Sequence, residues 1–391
     1  MVMSMAKYSA QTLAVRTGIE SDSAHGAVVP PIYLSSNFAF ADFKAAPQFD
    51  YARGGNPNTQ LLEQTLNNLE GGQGAIVTNC GLAAITLLMQ LLNAGDKLVV
   101  PHDAYGGSLR LFKALAAKGQ FELVIVDQTD TAAFDAAIAD KPAMVWLETP
   151  SNPLLRIVDI AATCRKARTV GAKVVVDNTF LSPILQQPLA LGADFALHST
   201  TKYINGHSDA LGGVVVCSDA EVAENLHWWA NCLGLTDCSG LNNYMILRGV
   251  RSLGARMRVH QENAGQLVAL LTSHPAVSKV YYPGLSSHPG HDIAKAQQKG
   301  FGGMISFELH GGLEQVETLL KHVQLFSVAE SLGGTESLIC YPSTMTHRSM
   351  DAEAQALAGI GPTLLRLSVG IEQAEDLVTD LTQALNAVVE N

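Results

Sequence analysis

Residues 198–209, HSTTKYINGHSD, set one lysine, Lys202, among hydroxyls, a glycine and two histidines, and the apolar run ALGGVVV follows at residues 210–216. Lysine is ordinarily a solvated surface charge. A tract this small and polar, bounded by strand-like apolar sequence, instead allows the amine to be held still, partly desolvated and nucleophilic. Other reactive side chains recur at the same kind of place, just beyond short apolar runs. Asn79-Cys80-Gly81-Leu82 follows GAIVT, and Tyr105-Gly106-Gly107 follows KLVVPHDA. Thr149-Pro150-Ser151-Asn152-Pro153 follows MVWLE, Asp177-Asn178-Thr179 follows VVV, and Ser199-Thr200-Thr201-Lys202 follows FALH.

The inventory has a chemical logic. Gly81, opening a helix, offers bare backbone N–H groups to an anion, and Ser199 and Thr201 add hydroxyl donors; together they describe a phosphate pocket. Asp177 is a strand-end carboxylate that requires a cationic partner, Tyr105 offers a flat ring, and Lys202 an amine. Singly, each has a structural explanation: a turn for Gly81, a loop cap or an arginine partner for Asp177, packing for Tyr105, a surface charge for Lys202. In this order on successive strands they add up to a site for pyridoxal 5'-phosphate.

Such a site needs an open α/β sheet, in which ligands bind beyond the carboxyl ends of the strands. Seven short apolar runs, GAIVT, KLVVPH, FELVIVD, AMVWLETP, AKVVVDNTF, DFALHS and GGVVVCS, alternate with helix-compatible segments such as SLRLFKALAAKG and IAATCRKARTVG. That pattern predicts a doubly wound, mainly parallel sheet over residues 61–245, inside a large domain of residues 61–250. Residues 1–60 lack periodicity and are expected to form an extended arm that reaches a partner subunit. Residues 251–391 are expected to form a smaller α/β domain: a long helix over RSLGARMRVHQENAGQLVALLTSH, strands at VSKVYYPG, GMISFELHG and TLLRLSVGIE, and amphipathic helices at HGGLEQVETLLKHV and AEDLVTDLTQALNAVVE.

Composition narrows the function. The formal net charge is −11 and no Lys/Arg block occurs, which argues against nucleic-acid binding. Six scattered cysteines with no C-x-x-C pair fit reduced thiols of a cytoplasmic protein. The N-terminus lacks the apolar core of a secretory signal, and no apolar run is long enough to span a membrane. G-x-G-x-x-G after a strand, G-x-x-x-x-G-K-[ST] and G-x-S-x-G are all missing, which argues against a dinucleotide fold, a nucleoside triphosphatase and an α/β hydrolase. His288 and His291 form an H-x-x-H without a neighbouring cysteine or acidic cluster, so no metal is expected there. Trp228-Trp229 is expected to be helix packing.

HSTTKYINGHSD, VVVDNTFLSP, LETPSNPLLRIVDI, DYARGGNP, HDAYGGSLRLF, GFGGMISFEL and AESLGGTESL together resemble the cysteine/methionine-metabolism family of pyridoxal-phosphate enzymes, and within it the bacterial cystathionine γ-synthase branch. The resemblance covers nearly the whole chain. It implies fold type I, with a seven-stranded sheet, and a homotetramer of two tight dimers in which each site borrows residues from a neighbour. It implies that Lys202 bonds the cofactor, that Asp177 keeps the ring nitrogen protonated, that Tyr105 stacks on the ring, and that Gly81, Leu82, Ser199 and Thr201 hold the phosphate. Tyr51 and Arg53 would reach the phosphate from the partner subunit. Arg366 would bind the substrate carboxylate, supported by Ser331 and Asn152. Glu330, before Ser331, and Arg110 resemble the synthases, and Glu330 also the γ-lyases. The implied activity is γ-replacement in methionine biosynthesis, converting O-succinylhomoserine and L-cysteine to L-cystathionine and succinate. The alternatives are a cystathionine γ-lyase, an O-acylhomoserine sulfhydrylase and, from another class, a non-catalytic ligand-binding α/β protein. Gly54 stands where the bacterial synthases carry arginine, Asn58 where the motif GNPT ends, and TDCSGLNNY at residues 236–244 departs from the usual pattern.

Overall fold

The computed structural model describes residues 8–348, 350 and 352–390. Seven strands, β1 (Gly74–Thr78), β2 (Lys97–Pro101), β3 (Glu122–Val126), β4 (Met144–Glu148), β5 (Lys173–Asp177), β6 (Phe195–Ser199) and β7 (Gly213–Cys217), form one sheet in the order β1-β7-β6-β5-β4-β2-β3. These are the seven apolar runs. Alternate residues face opposite layers and both layers are covered, which is why the strands are almost continuously apolar. Ile76, Val215, Leu197, Val175 and Trp146 pack against the helix Gly81–Leu88 and Phe112. On the other face, Val77, Val214, Val216 and Ala196 meet Leu62, Leu66 and Leu69 of the helix Pro57–Glu70, and Val145, Leu147, Val174 and Val176 meet the helix Ile160–Val170.

Strands β2 to β6 are parallel, and β7 runs antiparallel to both of its neighbours, β1 and β6. A parallel crossover requires a helix-length connection. The link between β6 and β7 is the Lys202 segment, residues 200–212, which holds no helix, so the chain turns straight back.

Five further strands, β8 (Val277–Tyr281), β9 (Met304–Leu309), β10 (Ser327–Val328), β11 (Leu338–Cys340) and β12 (Leu364–Ser368), form a second sheet in the order β10-β11-β12-β9-β8. Its core joins Ile305, Phe307, Leu365 and Leu367 to the helices Leu253–Ser273 and Ala374–Glu390. The short strands β10 and β11 were not expected, being too brief to show a period of two.

The first sixty residues are mainly irregular, with two exceptions. Ala10–Arg16 is a helix, burying Leu13 and Ala14, and the large-domain helix begins at Pro57 rather than residue 61. Asn56 caps that helix, its side chain accepting from the amides of Asn58 and Thr59 at 2.9 and 3.0 Å, and proline at the first helical position has the required φ and no orphan N–H. The helix that Gly81 opens ends as an α-helix at Leu88 and closes with a tighter turn, Met89–Leu91. Trp228 and Trp229 meet edge-on with centroids 5.0 Å apart; Trp229 packs against the core, whereas Trp228 is exposed.

Two departures from the family pattern have structural roles. Asn58 is buried and bridges the arm: its amide donates to the Pro31 carbonyl and its oxygen accepts from the Tyr33 amide, both at 2.8 Å. Within TDCSGLNNY, the Asp237 carbonyl accepts from Thr59 Oγ1 at 3.0 Å and from the Asn243 side chain at 2.9 Å. A Cβ on Gly240 would lie 2.1 Å from the Tyr33 carbonyl oxygen. Asn58 and residues 236–244 thus form a knot that ties the arm to the first large helix.

Candidate active site

Eleven of the sequence-predicted residues line one cavity of about 310 Å3 at the carboxyl ends of β4, β5 and β6: Lys202, Tyr105, Asp177, Gly81, Leu82, Ser199, Thr201, Arg366, Ser331, Asn152 and Glu330. The others do not. Tyr51 is exposed, and Arg53 donates to the Asn231 side chain and carbonyl at 3.1 and 3.2 Å. Arg110 lies on the exposed side of the helix Gly106–Ala117. Thr179, Cys80 and Thr346 also line the cavity. Thr179 was legible, two residues beyond Asp177 in the same strand-end turn; Thr346 carried no signal.

The segment bearing Lys202 is anchored from behind. The buried Arg256, in the helix Leu253–Ser273, donates to the carbonyls of Tyr203 at 2.7 Å, Ile204 at 3.2 Å and Gly249 at 2.9 Å. A Cβ on Gly206 would lie 2.0 Å from Arg256 Nη1, and φ there is +72°, so glycine is required twice over. The buried Tyr203 ring packs edge-on against His260. Lys202 Nζ then projects into the cavity and donates to Ser331 Oγ at 2.6 Å. Burial, and secondarily the Arg366 charge, lower the Lys202 pKa to about 8, with Glu330 opposing. Ser331 holds φ at +97°, a costly conformation for a residue with a Cβ, of the kind that clusters at functional sites.

Arg366 sits in the middle of β12, paired in register with Cys340 and Ser306. It is 3% exposed; Nη1 donates to Asn152 Oδ1 at 2.8 Å and Nη2 to the Ser331 carbonyl at 2.9 Å. Its Nε is buried and has no protein partner. This is a fixed, planar donor set suited to a carboxylate.

Asp177 ends β5, in register with Glu148 of β4. Its carboxylate accepts from the Thr179 amide at 3.0 Å, and no cationic side chain among the described residues pairs with it within 4 Å. Burial raises its pKa against the Thr179 hydrogen bonds. Glu148, raised well above the usual carboxylate range by burial and then by Asp177, accepts from the Tyr105 amide at 2.8 Å and the Trp146 indole at 3.2 Å. It therefore places Tyr105 at the mouth, where the residue is 45% exposed.

The residues present fit pyridoxal phosphate. A carboxylate disfavoured by burial and lacking a cation suits a protonated ring nitrogen. Opposite it, the helix Gly81–Leu88 starts beside Ser199: a Cβ on Gly81 would lie 3.1 Å from Ser199 Cβ, a tight approach that glycine avoids, and the Gly81 and Leu82 amides are left for an anion while those of Ala83 and Ala84 bond the Cys80 carbonyl. Thr201 reaches the same place, though its hydroxyl donates to the Gly212 carbonyl at 3.3 Å and accepts from the Gly212 amide at 3.1 Å. Lys202 supplies the amine.

The sequence comparisons agree. A family model described as "Cys/Met metabolism PLP-dependent enzyme" matches residues 11–386. This chain belongs to that family. It is 52% identical to a cystathionine gamma-synthase of Escherichia coli over 96% of this chain and 97% of that protein. It is 42% identical to a cystathionine gamma-lyase of Dictyostelium discoideum over 97% and 98%. A solved structure of cystathionine gamma synthase from Xanthomonas oryzae pv. oryzae in complex with cystathionine superposes with a TM-score of 0.97 at 56% identity, covering 98% of this chain and 99% of that one. The chain is thus a pyridoxal-phosphate-dependent enzyme of fold type I, as the resemblance implied.

The lowered Lys202 pKa has a measurable consequence. Capture of an aldehyde requires the neutral amine, present above the pKa and lost below it. The rate at which apoprotein takes up pyridoxal phosphate is expected to rise with pH and level off near pH 8, rather than climb towards the 10.4 of an exposed lysine. Stopped-flow absorbance across pH 6–10 checks this; a rate still rising tenfold per unit above pH 9 would contradict it.

Proposed function

We propose that the protein catalyses γ-replacement: O-succinylhomoserine and L-cysteine give L-cystathionine and succinate. The observation that carries this reading is the charge layout of the cavity. One buried cation, Arg366, lies deep beside Lys202, and one exposed carboxylate, Glu330, stands at the mouth close enough to influence the Lys202 charge. A deep carboxylate and a distal ammonium are the two ends of cystathionine.

Bound in this cavity, pyridoxal phosphate supplies an electron-accepting ring next to the substrate Cα. The rest is the work of the chain. Arg366 and Asn152 fix the α-carboxylate and so orient the Cα–H bond. Lys202 Nζ, whose lowered pKa leaves about half of it neutral near pH 8, takes the Cα proton and later exchanges a proton at Cβ, and Ser331 Oγ steadies that amine between transfers. The Cγ–O bond to the succinyl group breaks, succinate leaves with the bonding pair, and the cysteine thiolate forms the Cγ–S bond. Glu330 receives the incoming cysteine through its ammonium. Asp177 keeps a positive charge on the ring nitrogen, Gly81, Leu82, Ser199 and Thr201 hold the phosphate, and Tyr105 covers the ring.

The site is completed in a homotetramer of the cytoplasm, with Tyr51 and Arg53 of the 1–60 arm serving a neighbouring subunit beside the 61–250 and 251–391 domains. Their exposure and the anchored arm support this. No helix among the described residues is long and apolar enough to cross a membrane.

Activity assays test the reading directly. Succinate release should yield cystathionine when cysteine is supplied, while rapid 2-oxobutanoate from cystathionine would make the protein a γ-lyase. Glu330→Gln is expected to lower kcat/KM for cysteine on the order of fivefold, the scale of about 1 kcal/mol for an exposed ion pair, and to leave succinate release from O-succinylhomoserine alone unchanged. An equal loss in both would remove Glu330 from cysteine recognition.

A further inference from the structure

The helices Thr131–Ala139 and Ile160–Val170, strand β8 and residues 288–293 enclose a second cavity of about 640 Å3. None of its lining residues belongs to the Lys202 cavity. Phe134, Ile157 and Ile293 give it apolar walls. One polar side chain in the wall, Gln128, is more than nine-tenths buried, yet its Oε1 has no protein partner. The Gln128 amide nitrogen is committed to the Trp146 carbonyl at 2.7 Å, so the oxygen is left over. Buried acceptors without donors are costly and rare.

Three of the four charged side chains that line the cavity are cations, Arg156, Lys166 and Lys279; Arg156 is paired with Asp103 and Lys166 with Asp135, which leaves Lys279 as the cation without an acidic partner among the described residues. Lys279 stands at the rim, over the Tyr281 ring at 4.5 Å, with no carboxylate within 4 Å among the described residues. Arg156 lines the wall. Lys166 is paired with Asp135, and Asp159 caps the helix Ile160–Val170 through the Ala162 amide. We propose that this cavity is a second binding site, for a small organic carboxylate with an apolar body and a hydrogen-bond donor. Lys279 and Arg156 receive the carboxylate, Phe134 and Ile293 the apolar body, and Gln128 Oε1 the donor.

Such a ligand would act on the first site through bonded groups. Arg156 Nη1 donates to Asp103 at 2.7 Å, and Asp103 accepts from Ser151 Oγ at 2.6 Å. Ser151 precedes Asn152, which holds Arg366. Arg156 Nη2 also donates to the Ala358 carbonyl at 2.9 Å. A carboxylate competing for the guanidinium changes the seat of the substrate arginine, and so KM rather than kcat.

The test is calorimetric titration of the holoenzyme with 4-hydroxyphenylacetate. Saturable binding is expected that survives Arg366→Ala, weakens tenfold or more in Lys279→Glu and several-fold in Gln128→Leu. In wild type, the bound probe should shift KM for the amino-acid substrate, and Lys279→Glu should abolish that shift. Absence of saturable binding overturns the proposal. So does binding that is lost in Arg366→Ala and unchanged in Lys279→Glu, which places the probe in the Lys202 cavity, or a crystal soaked with the probe that shows only water against Gln128. Binding without a KM shift retains the site and overturns the coupling. The binding arms do not depend on which reaction the enzyme catalyses.

Discussion

Lys202→Ala is expected to lower kcat by about 10⁴-fold, the upper end of what a positioned acid–base group contributes. Two functions go together: the covalent hold on the cofactor, and the amine that moves protons at Cα and Cβ. No second amine stands in, since Lys202 is the only lysine lining the cavity among the described residues. The variant should fold, because the segment is anchored by Arg256 and Tyr203 rather than by the lysine. The purified variant is expected to lack the visible absorption band of covalently held cofactor while keeping its thermal unfolding midpoint within a few degrees. Activity within tenfold of wild type would remove Lys202 from the chemistry.

Arg366→Ala is expected to lower kcat/KM for O-succinylhomoserine by about 2–5 kcal/mol of recognition, roughly 30- to several-thousand-fold. The guanidinium is buried and held by Asn152 and the Ser331 carbonyl, so its orientation costs little on binding. The absorption band of the cofactor should survive, which separates this loss from that at Lys202. Arg366→Lys should recover little, since a point charge cannot reproduce the planar fork. Unchanged kcat/KM for the alanine variant would mean that the substrate carboxylate binds elsewhere.

The large sheet was legible because its strands, apart from the more exposed edge strand β3, are buried on both faces and therefore announce themselves as unbroken apolar runs. The site was legible for a related reason. Asp177, Ser199 and Lys202 lie at or just beyond strand ends, where the topology of an open sheet brings ligands, and each carries a reactive type. The antiparallel course of β7 was less visible, since residues 200–212 differ from an ordinary connection only in lacking helical periodicity. Thr346 reaches the cavity from an irregular stretch with no local pattern. Glu148 was hidden for another reason: it ends an apolar strand, and its role in placing Tyr105 depends on the register of β4 against β5. The helix Ala10–Arg16 is too short for its two buried residues to stand out.

The return of the chain at β7 bears on how the enzyme is primed. Ser199 and Gly213 are register partners, and the Thr200 amide donates to the Gly212 carbonyl at 3.0 Å, so both feet of the Lys202 segment stand on adjacent strands. The segment is the tip of a long hairpin, and the entropy of closing it is offset by strand pairing that forms with the fold itself. The lysine consequently meets an arriving aldehyde as part of a finished scaffold. Cofactor capture then resembles docking on a rigid surface more than coupled folding, and its affinity is not diminished by the cost of ordering a loop.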